Sequence, residues 1–113
     1  MPRRSEFVEF VIEHMALIGK LRARAMFGGY GVYQDDCMIA IIADDRLYFK
    51  TDAMTRAEFE AKGLSPFSYV ARGKSVTLHY FEAPPEVFEE PEAMRSWAQK
   101  AYGAALRARR NKA

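Results

Sequence analysis

The chain has 113 residues, half of them hydrophobic, and this size and composition predict one globular domain spanning residues 1–113. The net charge of +2 is too small to imply a nucleic-acid partner by itself. Cys37 is the only cysteine and no apolar run approaches the roughly 20 residues that cross a bilayer, so we expect no internal disulfide, no membrane contact and a reducing, cytoplasmic setting.

The first predicted element is a helix over residues 5–19. Ser5 is the expected N-cap, and Glu6 lies in the first turn, where the helix dipole favours a negative charge. Gly19 marks the end of the helix. Apolar residues recur at helical spacing along one side, which predicts a face packed on the core: Phe7, Val8, Val11, Ile12, Met15 and Ile18.

A glycine-rich motif follows this helix. Apolar and polar residues alternate over 21–27 and again over 30–33, which predicts two strands joined by a turn at Gly28 and Gly29. A phosphate-binding loop is the alternative, but the spacing fits neither G-x-G-x-x-G nor G-x-x-x-x-G-K-[ST], and both motifs need a helix after them. The motif consists of Phe27, Gly28, Gly29, Tyr30 and Gly31. The first strand has the alternation of a half-buried strand, in which one side carries Leu21, Ala23, Ala25 and Phe27 and the other carries Arg22, Arg24 and Met26.

The next stretch predicts two more hairpins. The apolar run over 37–43 is bounded by aspartates and partly β-branched, which indicates a central strand buried on both faces. A fourth strand is predicted over 46–50. Paired aspartates favour turns because their side chains bond their own backbone, so we expect tight turns at two positions: Asp35-Asp36 and Asp44-Asp45.

The second half predicts a helix, a hairpin and a last helix. Good helix formers occupy 53–62 before Gly63, with packing expected from Met54, Ala57, Phe59 and Ala61. Strands are predicted over 67–71 and 75–80, separated by Arg72-Gly73-Lys74. Pro84-Pro85 is expected to lead away in extended form. Pro91 opens the last helix, whose apolar side carries Met94, Trp97, Ala98, Ala101 and Ala105.

The predicted element order is α-β-β-β-β-α-β-β-α. Consecutive hairpins favour an antiparallel meander, and the pattern as a whole indicates the α+β class, with an antiparallel sheet of about five to six strands and flanking helices. A basic C-terminal tail is expected at about 107–113.

The residues predict no catalytic, cofactor-binding or metal site. His14 and His79 lack the partners at ligand spacing that a metal site needs, so structural roles are favoured. Cys37 opens an apolar run, and a cysteine in such a run more commonly acts as a small buried hydrophobic residue than as a nucleophile. The aspartate pairs are explained by turn formation, although paired carboxylates can also hold Mg²⁺ or act as acid and base.

Basic and aromatic side chains supply the candidate interaction residues. Arg22 and Arg24 lie two apart on one strand and therefore point to the same face. An aromatic sheet face near arginines is how some folds stack single-stranded bases, but core packing is the default for most of these rings. The candidates for contact with a protein or a nucleic acid are Arg22, Arg24, Tyr48, Tyr69, Arg107, Arg109 and Arg110.

In order and spacing, a set of segments resembles the N-terminal domain of TfoX/Sxy proteins, the regulators of bacterial competence genes. The resemblance runs from about the first helix to the last. It implies a fold like that of secretion chaperones, in a domain type that often dimerises, and it implies no catalytic residue. Full regulators of this type have a second, C-terminal domain. The matching positions are 24–33, 47–50, 66–69, Tyr80, Pro84 and Trp97.

The sequence therefore predicts a non-enzymatic regulatory domain that works by protein contact. We expect a homodimer and an unidentified protein partner, bound through a sheet face or edge. The alternative is a nucleic-acid-binding accessory factor that uses Arg22, Arg24 and the basic segment 107–112.

Overall fold

The computed structural model describes residues 6–26 and 28–111, and it places three α-helices and six strands in them. The helices are α1 (Glu6–Met15), α2 (Arg56–Ala61) and α3 (Pro91–Asn111). The strands are β1 (Arg22–Met26), β2 (Gly29–Gln34), β3 (Cys37–Ala43), β4 (Arg46–Lys50), β5 (Pro66–Ala71) and β6 (Lys74–Glu82). Short 3-10 segments follow α1 and precede α3, at Ala16–Ile18 and Pro85–Phe88.

All six strands form one antiparallel sheet in the order β1-β2-β3-β4-β6-β5. The first four strands form the expected meander, and the final hairpin joins it through β6, so β1 and β5 are the edge strands. The predicted α+β class and element order are confirmed.

The aspartate pairs form the two-residue turns that the sequence predicted. Asp35 and Asp36 have φ angles of 49° and 65°, and Asp44 and Asp45 have 52° and 56°. A tight hairpin turn of this kind needs positive φ at both central residues, which aspartate tolerates better than most side chains. Turn geometry therefore accounts for both pairs.

The glycine-rich motif is a hairpin turn, as predicted, but the turn comes one residue earlier. Gly28 has a φ of 75°, while Gly29 already belongs to β2 and pairs with Met26. A Cβ at Gly29 would lie 2.2 Å from the carbonyl oxygen of Ile42, so only glycine lets β2 approach β3 here. Phe27 lies outside the described residues.

Helices α1 and α3 cover one face of the sheet and bury the main core. Val8, Val11 and Met15 of α1 are buried, and the predicted Phe7 and Ile12 pack at its margin. The predicted apolar side of α3 is confirmed, since Met94, Trp97, Ala98, Ala101 and Ala105 are all buried. From the sheet, this core takes chiefly Val32, Ile39, Ala40, Ile42, Leu47, Phe49 and Phe81.

One predicted packing face is wrong, and one residue of another is less buried than expected. Ala25 lies on the same side of β1 as Ala23, as the alternation predicted, but it is exposed because β1 is an edge strand. In α2 only Phe59 is buried, whereas the side chain of Met54 is 71 % exposed and Ala57 and Ala61 are also exposed. Asp52 accepts hydrogen bonds from the backbone amides at 54 and 55, so a turn precedes α2 and the helix is shorter than predicted.

Smaller differences concern segment ends. Gly19 closes the 3-10 turn after α1, and the expected N-cap Ser5 lies outside the described residues. Pro84 is extended as predicted, but Pro85 begins a 3-10 turn. Arg107, Arg109 and Arg110, which were expected in a tail, belong to α3, whereas Lys112 lies outside the described residues. None of the described helices is long and apolar enough to span a bilayer.

Candidate functional site

The sheet has a second face, which no described helix covers. A separate cluster of apolar and aromatic side chains lies there, and every member comes from a strand. Ile41, Phe67 and Tyr80 are buried at its centre. Around them the half-buried members are Met38, Ala43, Tyr48, Tyr69 and Leu78. We call this side of the sheet the uncovered face.

Strand register builds the uncovered face from side chains that are distant in sequence. One row of cross-strand partners crosses five strands: Arg24 pairs with Gly31, Gly31 with Ile41, Ile41 with Tyr48, and Tyr48 with Glu82. Alternate residues of each strand lie on the same side of a sheet. The row therefore joins an exposed arginine at one edge to the aromatic cluster.

Gly31 lies in the middle of the uncovered face, and its missing side chain leaves room for neighbouring ones. A Cβ at Gly31 would lie 2.7 Å from the sulfur of Met38 and 3.1 Å from that of Met26. The two methionines therefore pack over the bare backbone of β2. Methionine is flexible and polarisable and adapts readily to a partner surface.

The aromatic rings pack against one another at their edges. Tyr48 and Phe67 have ring centroids 5.0 Å apart in an edge-to-face arrangement, and Phe67 and Tyr69 lie 6.1 Å apart. The hydroxyl of Tyr80 donates a hydrogen bond of 3.2 Å to the carbonyl of Met38. Burial raises the pKa of both Tyr80 and Tyr48 above the usual tyrosine value, so these phenols stay neutral.

Positive charge concentrates on the uncovered face. Every lysine and arginine within the strands lies at an alternate position that points to this side. Glu82, the only one of the ten glutamates that lies in a strand, points to the same side. The basic residues are Arg22, Arg24, Arg46, Lys50 and Lys74.

Several of these cations already have local contacts. Arg22 pairs with Asp36 at 3.2 Å and lies 5.8 Å from the centre of the Tyr33 ring. Arg46 pairs with Glu82 at 3.5 Å. Exposed ion pairs of this kind are typically worth less than about 1 kcal/mol, so a partner's carboxylates could replace these contacts at little energetic cost.

The end of α3 borders the uncovered face at the β2–β3 turn. Arg109 donates a hydrogen bond of 3.4 Å to the carbonyl of Asp35 and lies 3.5 Å from the sulfur of buried Cys37. Tyr102 donates a hydrogen bond of 2.7 Å to the Asp35 carboxylate, which raises the pKa of that tyrosine. A cleft here joins Arg109 to Lys50 of the uncovered face.

Arg107 lies apart from the uncovered face. It donates to both carboxylate oxygens of Asp52, in front of α2. This contact lowers the pKa of Asp52 and raises that of Arg107. Arg107 therefore fastens the end of α3 to the α2 segment and has a structural role.

The structure thus divides the predicted interaction residues. Four of them share the uncovered face: Arg22, Arg24, Tyr48 and Tyr69. Arg109 borders it, Arg110 is exposed on α3, and Arg107 lies elsewhere. The sequence prediction placed Lys74 beside the second hairpin and did not single out Arg46 or Lys50, although their alternate strand positions carried the signal.

The two histidines considered as metal ligands or bases differ in their surroundings. Nδ1 of His14 donates a hydrogen bond of 2.8 Å to the carbonyl of Phe10, whose ring packs at a tilt against the imidazole. His79 is exposed on the helix-covered side of β6. Within 6–26 and 28–111, no group of three histidine, cysteine or carboxylate side chains is arranged to hold a metal ion.

Comparison with known proteins gives one family match and two curated relatives. The family model of the TfoX N-terminal domain matches residues 13–105. DNA transformation protein TfoX1 of Aliivibrio fischeri is 34 % identical over 85 residues, covering 74 % of this chain and 40 % of that protein. Protein Sxy of Escherichia coli is 26 % identical over 96 residues, covering 84 % of this chain and 46 % of Sxy. The matched segment thus spans less than half the length of either relative.

Proposed function

We infer that this chain, which belongs to the TfoX N-terminal domain family, is a non-enzymatic regulatory domain that acts by binding another protein. One relative is named a DNA transformation protein and the other is named Protein Sxy. Each relative is more than twice as long as the segment of it that this chain matches. We propose a related role in the control of competence gene expression, carried out in the cytoplasm. The buried single thiol of Cys37 fits that reducing setting.

The observation that supports protein binding is the uncovered face. Its central residues are apolar and aromatic, five basic side chains of the strands point to the same side, and no described helix lies over it. Protein interfaces are enriched in tyrosine, methionine and arginine, the residue types found together here. A contiguous patch of this composition on a small domain is typical of an interaction surface.

A homodimer is the second part of this proposal, and the difference between the two edge strands supports pairing through β5. Edge strand β1 carries Arg22 and Arg24, and charged side chains on an edge discourage pairing with another strand. Edge strand β5 has no charged residue, and the side chain of Val70 is 74 % exposed. Pro66 and a register shift occupy its start, which leaves residues 68–71 to pair with a second copy.

Nucleic-acid binding is the competing function, because five basic side chains share one face. Base stacking needs open ring faces. On this face Lys50 lies 5.1 Å from the centre of the Tyr80 ring, and Tyr48 and Phe67 meet edge to face. The packing therefore favours a protein partner over a single-stranded nucleic acid.

Paired variants of neighbouring residues on β5 test this proposal. Tyr69 points to the uncovered face and Val70 to the opposite side. Tagged protein is used to capture partners from cells of its source, with nuclease in one arm and mass spectrometry as the readout. Tyr69→Ser should lose the partner, while Val70→Ser keeps it. Equal capture by both variants, or capture that nuclease abolishes, would contradict the proposal.

A further inference from the structure

We propose that the partner segment bound by the uncovered face is acidic: an extended peptide in which carboxylates alternate with apolar side chains. This inference assumes the proposed function, namely that the face binds a protein, and adds the chemistry of what it binds.

Charge segregation is the first argument. All lysines and arginines of the strands point to the uncovered face, where Glu82 is the only strand glutamate. The whole chain has a formal charge of only +2. The other nine glutamates lie in or between the helical segments that cover the opposite side. The uncovered face thus carries five cations of the strands against one glutamate, and complementary charge selects and steers acidic partners.

Arrangement is the second argument, because the charges surround the apolar cluster. Arg24 lies at the β1 edge, Arg46 and Lys50 lie at the two ends of β4, and Lys74 begins β6. Tyr48 and its apolar neighbours lie between them. A segment crossing this face would place apolar side chains on the cluster and carboxylates at its margin.

Other occupants fit less well. A second copy brought face to face would oppose like charges, which is costly when desolvated. A single-stranded nucleic acid would need ring faces that Lys50 and the edge-to-face pair of Tyr48 and Phe67 already occupy. An acidic peptide needs only the arginine and lysine head groups and the apolar centre.

A random dodecapeptide phage library tests the inference on the intact protein. Selected peptides should carry net negative charge, with carboxylates at alternate positions. Their binding should weaken at least tenfold when salt is raised from about 50 to about 300 mM, because salt screens the attraction between surface charges. Backbone amide shifts in NMR should change in β1, β4 and β6. Neutral or basic selected peptides, no enrichment, or preferential binding of a single-stranded oligonucleotide would overturn the inference.

Variants separate this inference from the proposed function. Replacing Arg24 and Lys74 with glutamine should reduce affinity for a selected peptide at least tenfold. The matched control is Arg95→Gln, which removes an exposed arginine from α3. If Tyr69→Ser abolishes capture of the cellular partner but the glutamine variants bind it normally, the face binds a protein and only its proposed acidity is wrong. If none of these variants affects capture, the proposed function itself fails.

Discussion

Arg107 of α3 donates two hydrogen bonds to the carboxylate of Asp52, a residue 55 positions earlier in the chain. Asp52 also accepts hydrogen bonds from the backbone amides of Met54 and Thr55. One carboxylate thus holds the turn before α2 and anchors the end of α3. The uncovered face depends on this connection indirectly, because α3 packs on the opposite side of β3 and β4.

Asp52→Ala should lower the free energy of unfolding by about 2 kcal/mol, since it removes the hydrogen bonds of the turn before α2 and the charge-assisted bonds from Arg107. Asp52→Asn should lower it less, because an amide oxygen still accepts the two backbone bonds. The control is Glu60→Ala, which removes an exposed ion pair with Arg56 and should change stability by under about 0.5 kcal/mol. Urea unfolding followed by circular dichroism measures all three. Equal stability of Asp52→Ala and the wild type would contradict a structural role.

The same pair predicts a pH dependence. Arg107 lowers the pKa of Asp52 in the folded state below its unfolded value of about 4. The carboxylate therefore contributes stability above that value, and the contribution is lost as pH falls through the lower, folded pKa. Urea midpoints measured from pH 7 to pH 3 should fall less steeply in Arg107→Gln than in the wild type. Parallel curves would show that the pair contributes nothing.

The glycine motif predicts a large difference between two similar substitutions. Gly29→Ala should destabilise the fold by about 3 kcal/mol, because the new Cβ meets the backbone carbonyl of Ile42 at 2.2 Å. Gly31→Ala should cost about 1 kcal/mol, since it meets the flexible side chains of Met38 and Met26. Thermal or urea unfolding measures the difference. A larger loss at Gly31 would mean that the β2–β3 contact is not as described.

The turn at Asp44 and Asp45 predicts a stabilising change. Both residues have positive φ, and the pair most favoured in such turns is Asn-Gly. Replacing the two aspartates with Asn and Gly should raise the free energy of unfolding by about 0.5 kcal/mol. The turn lies at the end of β3 and β4, so the selected acidic peptide should still bind. A loss of stability would contradict the turn geometry.

Oligomeric state tests the proposed role of β5. Light scattering coupled to size exclusion should show a dimer at high protein concentration. Val70→Lys should shift it to monomer, because a charge on an uncharged edge opposes strand pairing. Ala25→Lys on the other edge is the matched control and should leave the dimer intact. A dimer that persists in Val70→Lys, or a wild type that is monomeric throughout, would contradict pairing through β5.

The sequence predicted the elements better than the surfaces. Strands β3 and β4 have the predicted bounds, because an apolar run and a short alternating run were each closed by aspartate turns. The uncovered face was predicted only in part, through Arg22, Arg24, Tyr48 and Tyr69. Its other members depend on how the strands pair. Lys74 lies on the same face as Arg24 because β6 pairs with β4, and no local sequence pattern predicts that pairing.

Prediction failed where one helix turn or one edge decided the outcome. The pattern over 53–62 does not show that the Asp52 carboxylate accepts a hydrogen bond from the Met54 amide. That bond stabilises a turn before the helix and leaves Met54 exposed. Likewise, Arg107 and Arg109 looked equivalent in a basic segment. One helical face directs Arg107 to Asp52 and the other directs Arg109 to the β2–β3 turn.

Hydroxyl-radical footprinting of the complex tests most directly the claim that the uncovered face is the binding surface. The complex is formed with the captured partner or with a selected acidic peptide. Tyr48 and Tyr69 should become protected from oxidation, while Met54 and Leu17, which are exposed elsewhere on the molecule, should react as in the free protein. Protection at Met54 or Leu17, with Tyr48 and Tyr69 unchanged, would contradict the account.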